Sequence, residues 1–237
     1  MIRLILIALS ICFCNSTWAA DIEVGHAGAL INFMHKGDLS AKFSLLELKG
    51  KDHVYALGAV ENLKGEIQIF DGRPAVTFAK NGEVVIDNTF EKNAALIVYT
   101  QVAAWQDVSI PADTVTRSQL QNYLKKAASD RGLNIEKPVP FLITGKTKFI
   151  DWHVIDWDPA DKEHTHAKHI NSGPHGRIEK ADVLILGFYS NRHRAIFTHH
   201  SSDLHMHFNT KNNTLAGHID DLELGREMVL RLPQAKK

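Results

Sequence analysis

The chain has 237 residues, 44% hydrophobic and 23% charged, with 27 Lys and Arg against 27 Asp and Glu. This composition excludes wholesale disorder, collagen-like sequence and coiled coil, and zero net charge argues against a nucleic-acid binder, which carries a basic excess. Histidine alone is out of line, at 14 residues.

Met1-Ile2-Arg3, the apolar run Leu4–Cys14 and the small residues Thr17 and Ala19 form the pattern of a secretory signal peptide. Residues 1–19 are therefore expected to be removed and the protein to be exported, periplasmic or secreted. The apolar run is too short for a bilayer, which takes about 20 residues, and no later run is long enough, so no membrane span is expected after processing. A lipoprotein reading of Leu9–Cys12 is weakened by bulky Ile11 before the cysteine. Both cysteines, Cys12 and Cys14, leave with the signal. A metal site in the remainder must use His, Asp, Glu and water, which points to zinc or a similar divalent ion.

The region up to about Ile110 is strand-rich. Gly65–Phe70, the Asp71-Gly72 turn and Ala75–Phe78 read as a hairpin, Asn81-Gly82 as the next turn before Val84–Ile86, and Ala95–Tyr99 as a buried strand. A short helix is expected over Ala27–Met34. A longer one starts at a Thr116/Gln119 capping box, carries Leu120, Tyr123, Leu124 and Ala127 on one face, and stops near Gly132. Pro138-Val139-Pro140 opens a second strand-rich region. The expected fold is α/β in the α+β sense: a mixed-sheet subdomain over 20–135 and a second sheet subdomain over 136–237, with few helices.

Eleven of the 14 histidines lie between His153 and His218. His164, His166, His169 and His175 fall in Asp161–Arg177, a polar stretch without apolar periodicity, which reads as a solvated loop. Leu204-His205-Met206-His207-Phe208 alternates at period two, so its apolar residues share a core face and His205 and His207 share the other. A hairpin centred on Asn212-Asn213 places His207 opposite His218, where directly opposed Cβ atoms stand about 4.5–5.5 Å apart. Three imidazoles on one face suit a divalent transition metal, Zn2+ first and manganese, iron or cobalt as alternatives, with a coordination position left open.

These blocks resemble the α-acetolactate decarboxylase family. The family's zinc motif, G-Y-H-L-H-F followed by G-G-H-V, is matched by Asp203–Phe208 and Ala216–Ile219 with the same ten-residue gap between the second and third histidines. Leu186-Gly187-Phe188 resembles the segment before it, and Gly65-Glu66-Ile67 with Asp71-Gly72 resembles the family's G-E-M and D-G hairpin. The resemblance implies a two-domain fold, a homodimer, zinc on His205, His207 and His218, and conversion of a small 2-hydroxy-3-oxo acid, acetolactate, to acetoin and carbon dioxide, with Glu66 relaying protons.

Three departures accompany it. His153 stands where the family has an active-site arginine, Ala59 replaces a threonine, and the last acidic side chain is Glu227, where the family tail supplies a further glutamate. Imidazole does not reproduce a planar cation; Arg177, Arg192 and Arg194 are alternative sources of one. Two other readings remain open: a non-catalytic metal- or small-acid-binding protein with extra metal on His164, His166 and His169, and a zinc hydratase or hydrolase.

Overall fold

Period-two alternation of apolar and polar residues builds two antiparallel sheets in the computed structural model, which describes residues 22–234. The expected signal peptide lies outside these residues. The first elements in chain order are β1 (Val24–Ala27), α1 (Leu30–Lys36), β2 (Phe43–Ser44), β3 (Val54–Val60), β4 (Glu66–Phe70), β5 (Arg73–Pro74), β6 (Val76–Lys80), β7 (Glu83–Asp87) and β8 (Asn93–Gln101). There follow β9 (Trp105–Ser109), α2 (Arg117–Asp130), β10 (Val139–Lys146), β11 (Phe149–His153), α3 (His166–Asn171) and β12 (His175–Glu179). The chain closes with β13 (Asp182–Tyr189), β14 (Leu204–Thr210), β15 (Ala216–Glu223) and β16 (Val229–Pro233).

The first sheet runs β1-β8-β3-β4-β6-β7, with β2 on β8 and β5 on β4; the second runs β12-β11-β15-β14-β13-β10-β16-β9. The fold is thus α+β, with most of its residues in two antiparallel sheets. Sheet membership changes between Gln101 and Trp105, so β9 belongs with the second sheet, as does α2, whose buried face joins that sheet's core.

Turn chemistry fixes the first sheet's register. Asp71 and Gly72 (φ 50° and 73°), and Asn81 and Gly82 (φ 55° and 80°), have positive φ at both central positions. That is the geometry whose twist matches a hairpin and which Asp, Asn and Gly tolerate best. Helix α2 begins as its sequence dictates: Thr116 Oγ1 accepts from Gln119 N at 3.3 Å, and Gln119 Oε1 accepts from Thr116 N at 2.9 Å. Leu120, Leu124 and Ala127 are buried, and Gly132 turns the chain away at φ 72°.

Two local expectations are corrected. The helix expected over Ala27–Met34 begins only at Leu30, because Val24–Ala27 is already pairing with Ile97–Thr100 of β8. The stretch Asp161–Arg177 is not a solvated loop throughout. Thr165 caps α3 by accepting from Lys168 N, and His175–Glu179 adds an edge strand to β11. Neither segment has an apolar stripe, so periodicity could not reveal them.

Alternate residues sort into three apolar layers. Val54, Ala56, Ile67 and Ile69 cover the outer face of the first sheet. Phe141, Met206, Phe208 and Ile219 join α2 behind the second. Leu57 and Val98 of the first sheet meet Leu186 and Phe188 of the second between them. Phe33, Leu57, Leu186, Phe188 and Phe197 are each at most 2% exposed. Burying such a side chain stabilises by roughly 1.5–3 kcal/mol.

Candidate metal centre and its cavity

The β14–β15 hairpin carries the site. Its register is His207↔His218, Phe208↔Gly217 and Asn209↔Ala216. Leu204, Met206 and Phe208 point into the core behind the sheet, so His205 and His207 point the other way, toward the first sheet. That second face is not a solvent face: His207 is 0% exposed and His205 8%. The histidine side of the hairpin is the inner surface of a two-layer sandwich, and Glu66 from β4 faces it, itself 4% exposed.

One ring nitrogen from each of His205, His207 and His218 lies within 4.8 Å of the others. Nε2 of His205 and Nε2 of His207 are 3.1 Å apart. Two nitrogens bound to one tetrahedral zinc at about 2.0–2.1 Å stand roughly 3.3 Å from each other, so the donor set fits the ion. Burial, reinforced by the neighbouring rings, holds all three below the usual histidine range: His205 and His207 well below it, His218 at about 4. The rings are therefore neutral at physiological pH, the state a metal requires.

A β-bulge adds a carboxylate. Asp151 pairs with Asp221 and Trp152 with Ile219, leaving Asp220 as the extra residue of β15. The bulge lets Ile219 and Leu222 both reach the rear core while Asp220 joins the site. Nδ1 of His153 lies 2.9 Å, and Nδ1 of His218 3.2 Å, from its carboxylate. Burial works to raise the Asp220 carboxyl, but the two histidine hydrogen bonds outweigh it and hold it below the usual range. His153, His218 and Asp220 form a second cluster of potential ligands that shares His218 with the first.

Glu66 bridges the layers. Its Oε1 accepts from Ile155 N at 3.3 Å and lies 3.6 Å from His153 Nε2, and its Oε2 lies 3.8 Å from His207 Nε2. Burial pushes its carboxyl well above the ordinary range, against one backbone hydrogen bond, and Asp220 adds to the shift. A carboxyl in that position can hold a proton at neutral pH.

Glu66, His153, His205, His218 and Asp220 line a cavity of about 340 Å³, within the size range of small-molecule sites. Ala59 and Phe197 supply apolar wall; His166 and His169 from α3 close one side. His169 is held at about 4 by burial, then by His164 and other rings.

The three alternative arginines stay outside. Arg177 pairs with Asp151 at 2.6 Å, Arg192 with Glu136, and Arg194 with Asp203 at 2.7 Å. Arg117, at the first turn of α2, does line the cavity, and Glu227 is exposed and does not. Sequence reading did not bring Asp220, Arg117, His166 or His169 to this site. Asp220 was within reach, since it follows His218 at period two. Arg117 and the α3 histidines carry no such signal, because only tertiary packing brings them to the cavity. Among the described residues, neither candidate metal cluster includes His164, His166 or His169.

Among solved structures, the chain superposes on one of unknown function similar to alpha-acetolactate decarboxylase from Staphylococcus aureus, with TM-score 0.68 and 15% identity. It superposes equally on alpha-acetolactate decarboxylase from Bacillus subtilis strain 168, with TM-score 0.69 and 15% identity. Each comparison covers 90% of this chain and 86% of the other. At that identity the likeness speaks for the fold. No curated protein matches the sequence. The family model for alpha-acetolactate decarboxylase matches residues 26–237, a span that takes in Glu66 on one sheet and the three hairpin histidines on the other, and the chain belongs to that family.

Proposed function

We propose that the protein is a zinc-dependent decarboxylase that converts 2-acetolactate to acetoin and carbon dioxide. In this reading His205, His207 and His218 hold the metal, Glu66 handles the proton, and His153 occupies the place of the family's arginine. The observation that carries it is the convergence of three neutral imidazoles within 4.8 Å, two buried and His218 half-buried, beside a buried glutamate, in a chain of this family. When bound, zinc supplies Lewis acidity to the adjacent oxygens of a 2-hydroxy-3-oxo acid.

The chain's own residues do the rest. The apolar wall keeps water from the carbon that loses carbon dioxide. The electron pair left on that carbon must be met by a proton, and Glu66, kept neutral by burial, gives it from the opposite sheet. Asp220 fixes the ring of His218 through Nδ1, leaving Nε2 for the metal. We further propose that the protein is exported after loss of residues 1–19 and acts as a homodimer.

Purified protein loaded with one zinc and given racemic acetolactate should release acetoin. Product no greater than zinc alone generates would overturn the assignment.

A further inference from the structure

Among the described residues, Arg117 is the only arginine or lysine lining the cavity. It enters from the first turn of α2, where the Thr116–Gln119 box pins the backbone. Its Nη2 donates to Leu204 O at 3.3 Å, one residue from His205. Its Nε is buried with no acceptor. Among the described residues no carboxylate oxygen pairs with it within 4.0 Å, whereas Arg177, Arg192, Arg194 and Arg231 each have such a partner. The nearest acidic charges acting on it are Asp221 and Asp220, and Asp220 is already engaged by two histidines.

A guanidinium drawn partly out of water without a matching anion is costly to the fold. Such a group on a cavity wall is a counter-charge awaiting its partner, and its planar fork is the side-chain geometry that best matches a carboxylate. The same cavity also presents His205 and His218 of the proposed metal set. A ligand that satisfies both ends carries a carboxylate and an oxygen able to reach a metal.

We propose that Arg117 is the carboxylate-recognition residue of this cavity and selects 2-hydroxy acids over neutral hydroxy ketones. This rests on the metal-site reading above and extends it: the cation is delivered from a helix N-terminus, not from the strand position held by His153. It also accounts for the absence of Arg177, Arg192 and Arg194 from the site.

The test uses two small ligands of the zinc-loaded protein that share an oxygen-bearing carbon pair: lactate, a 2-hydroxy carboxylate, and acetoin, a neutral hydroxy ketone. Arg117→Met should weaken lactate binding about tenfold to a hundredfold and leave acetoin binding and zinc content unchanged. Arg117→Lys should recover part of the loss, and the surface variant Arg177→Met should change nothing. Equal loss of both ligands, or unchanged lactate affinity, overturns the proposal. Should Arg117→Met fail to fold, Arg117→Lys decides, since it must weaken lactate several-fold and spare acetoin. Carboxylate discrimination without acetoin release from acetolactate sinks the decarboxylase and keeps this inference. Acetoin release with KM unmoved in Arg117→Met does the reverse.

Discussion

Both carboxylate oxygens of Asp220 lie 2.9 Å from Nδ1 of His153, and one of them lies 3.2 Å from Nδ1 of His218. One anion thus orients a proposed metal ligand and the ring that neighbours Glu66. Groups that hold a ligand histidine by its far nitrogen typically matter 10- to 100-fold to metal affinity. Asp220→Asn should weaken zinc by roughly that factor in competition with a chelating dye, while Asp221→Asn, at an exposed neighbour, should not. Equal affinities for the two variants would refute the role.

Glu66→Gln removes the proton and keeps the shape. Loss of a general acid typically costs about 10²- to 10⁴-fold in rate, so kcat with acetolactate should fall by at least about a hundredfold while zinc content stays at the parent value. Because Glu66 is a buried carboxyl with one protein donor at 3.3 Å, the variant should melt no lower than the parent. A kcat within a few-fold of the parent would remove Glu66 from the chemistry.

Acid should destabilise the metal-free protein earlier than its carboxylates alone dictate. Burial holds His205, His207 and His218 below the ordinary value, and likewise His164, His166, His169, His193 and His199. Below about pH 6.5 the unfolded chain takes up protons that the folded chain refuses, so stability falls. For His169, His199 and His218 the loss continues down to about 4. Glu66 acts in the opposite direction, since its raised folded pKa makes the native state the better proton binder. One carboxyl against eight imidazoles leaves a net loss. The Tm of metal-free protein should drop between pH 7.5 and 5; a flat or rising Tm contradicts it.

Thr116 closes the capping box at the start of α2. Thr116→Ala should cost about 1 kcal/mol, a fall in Tm of about 2–4 °C for a chain this size. A thermal scan checks it, and an unchanged Tm would show that tertiary packing alone fixes the helix start.

The sequence is most legible where a short-range rule acts. Turn residues located Asp71-Gly72 and Asn81-Gly82, the capping box located α2, and alternation placed His207 across from His218. Helix α3 was invisible because its six residues bury no side chain fully and rest on one threonine cap. The burial of the histidine face was also hidden. Alternation says which residues share a face, but not that a second sheet lies over that face. For the same reason Arg117 could not be paired with the cavity: it is 88 positions before His205, and only the packing of α2 behind the second sheet closes that distance.

In the proposed reading, the division of the site between two layers separates metal loading from turnover. Every imidazole proposed to gather the ion rides on a single hairpin, whereas Glu66, the proposed acid, is carried by another sheet. A small slide of one layer over the other would retune the reaction and leave the metal inventory as it was. Selection acting on the apolar seam between the layers could adjust rate or substrate without touching a single ligand.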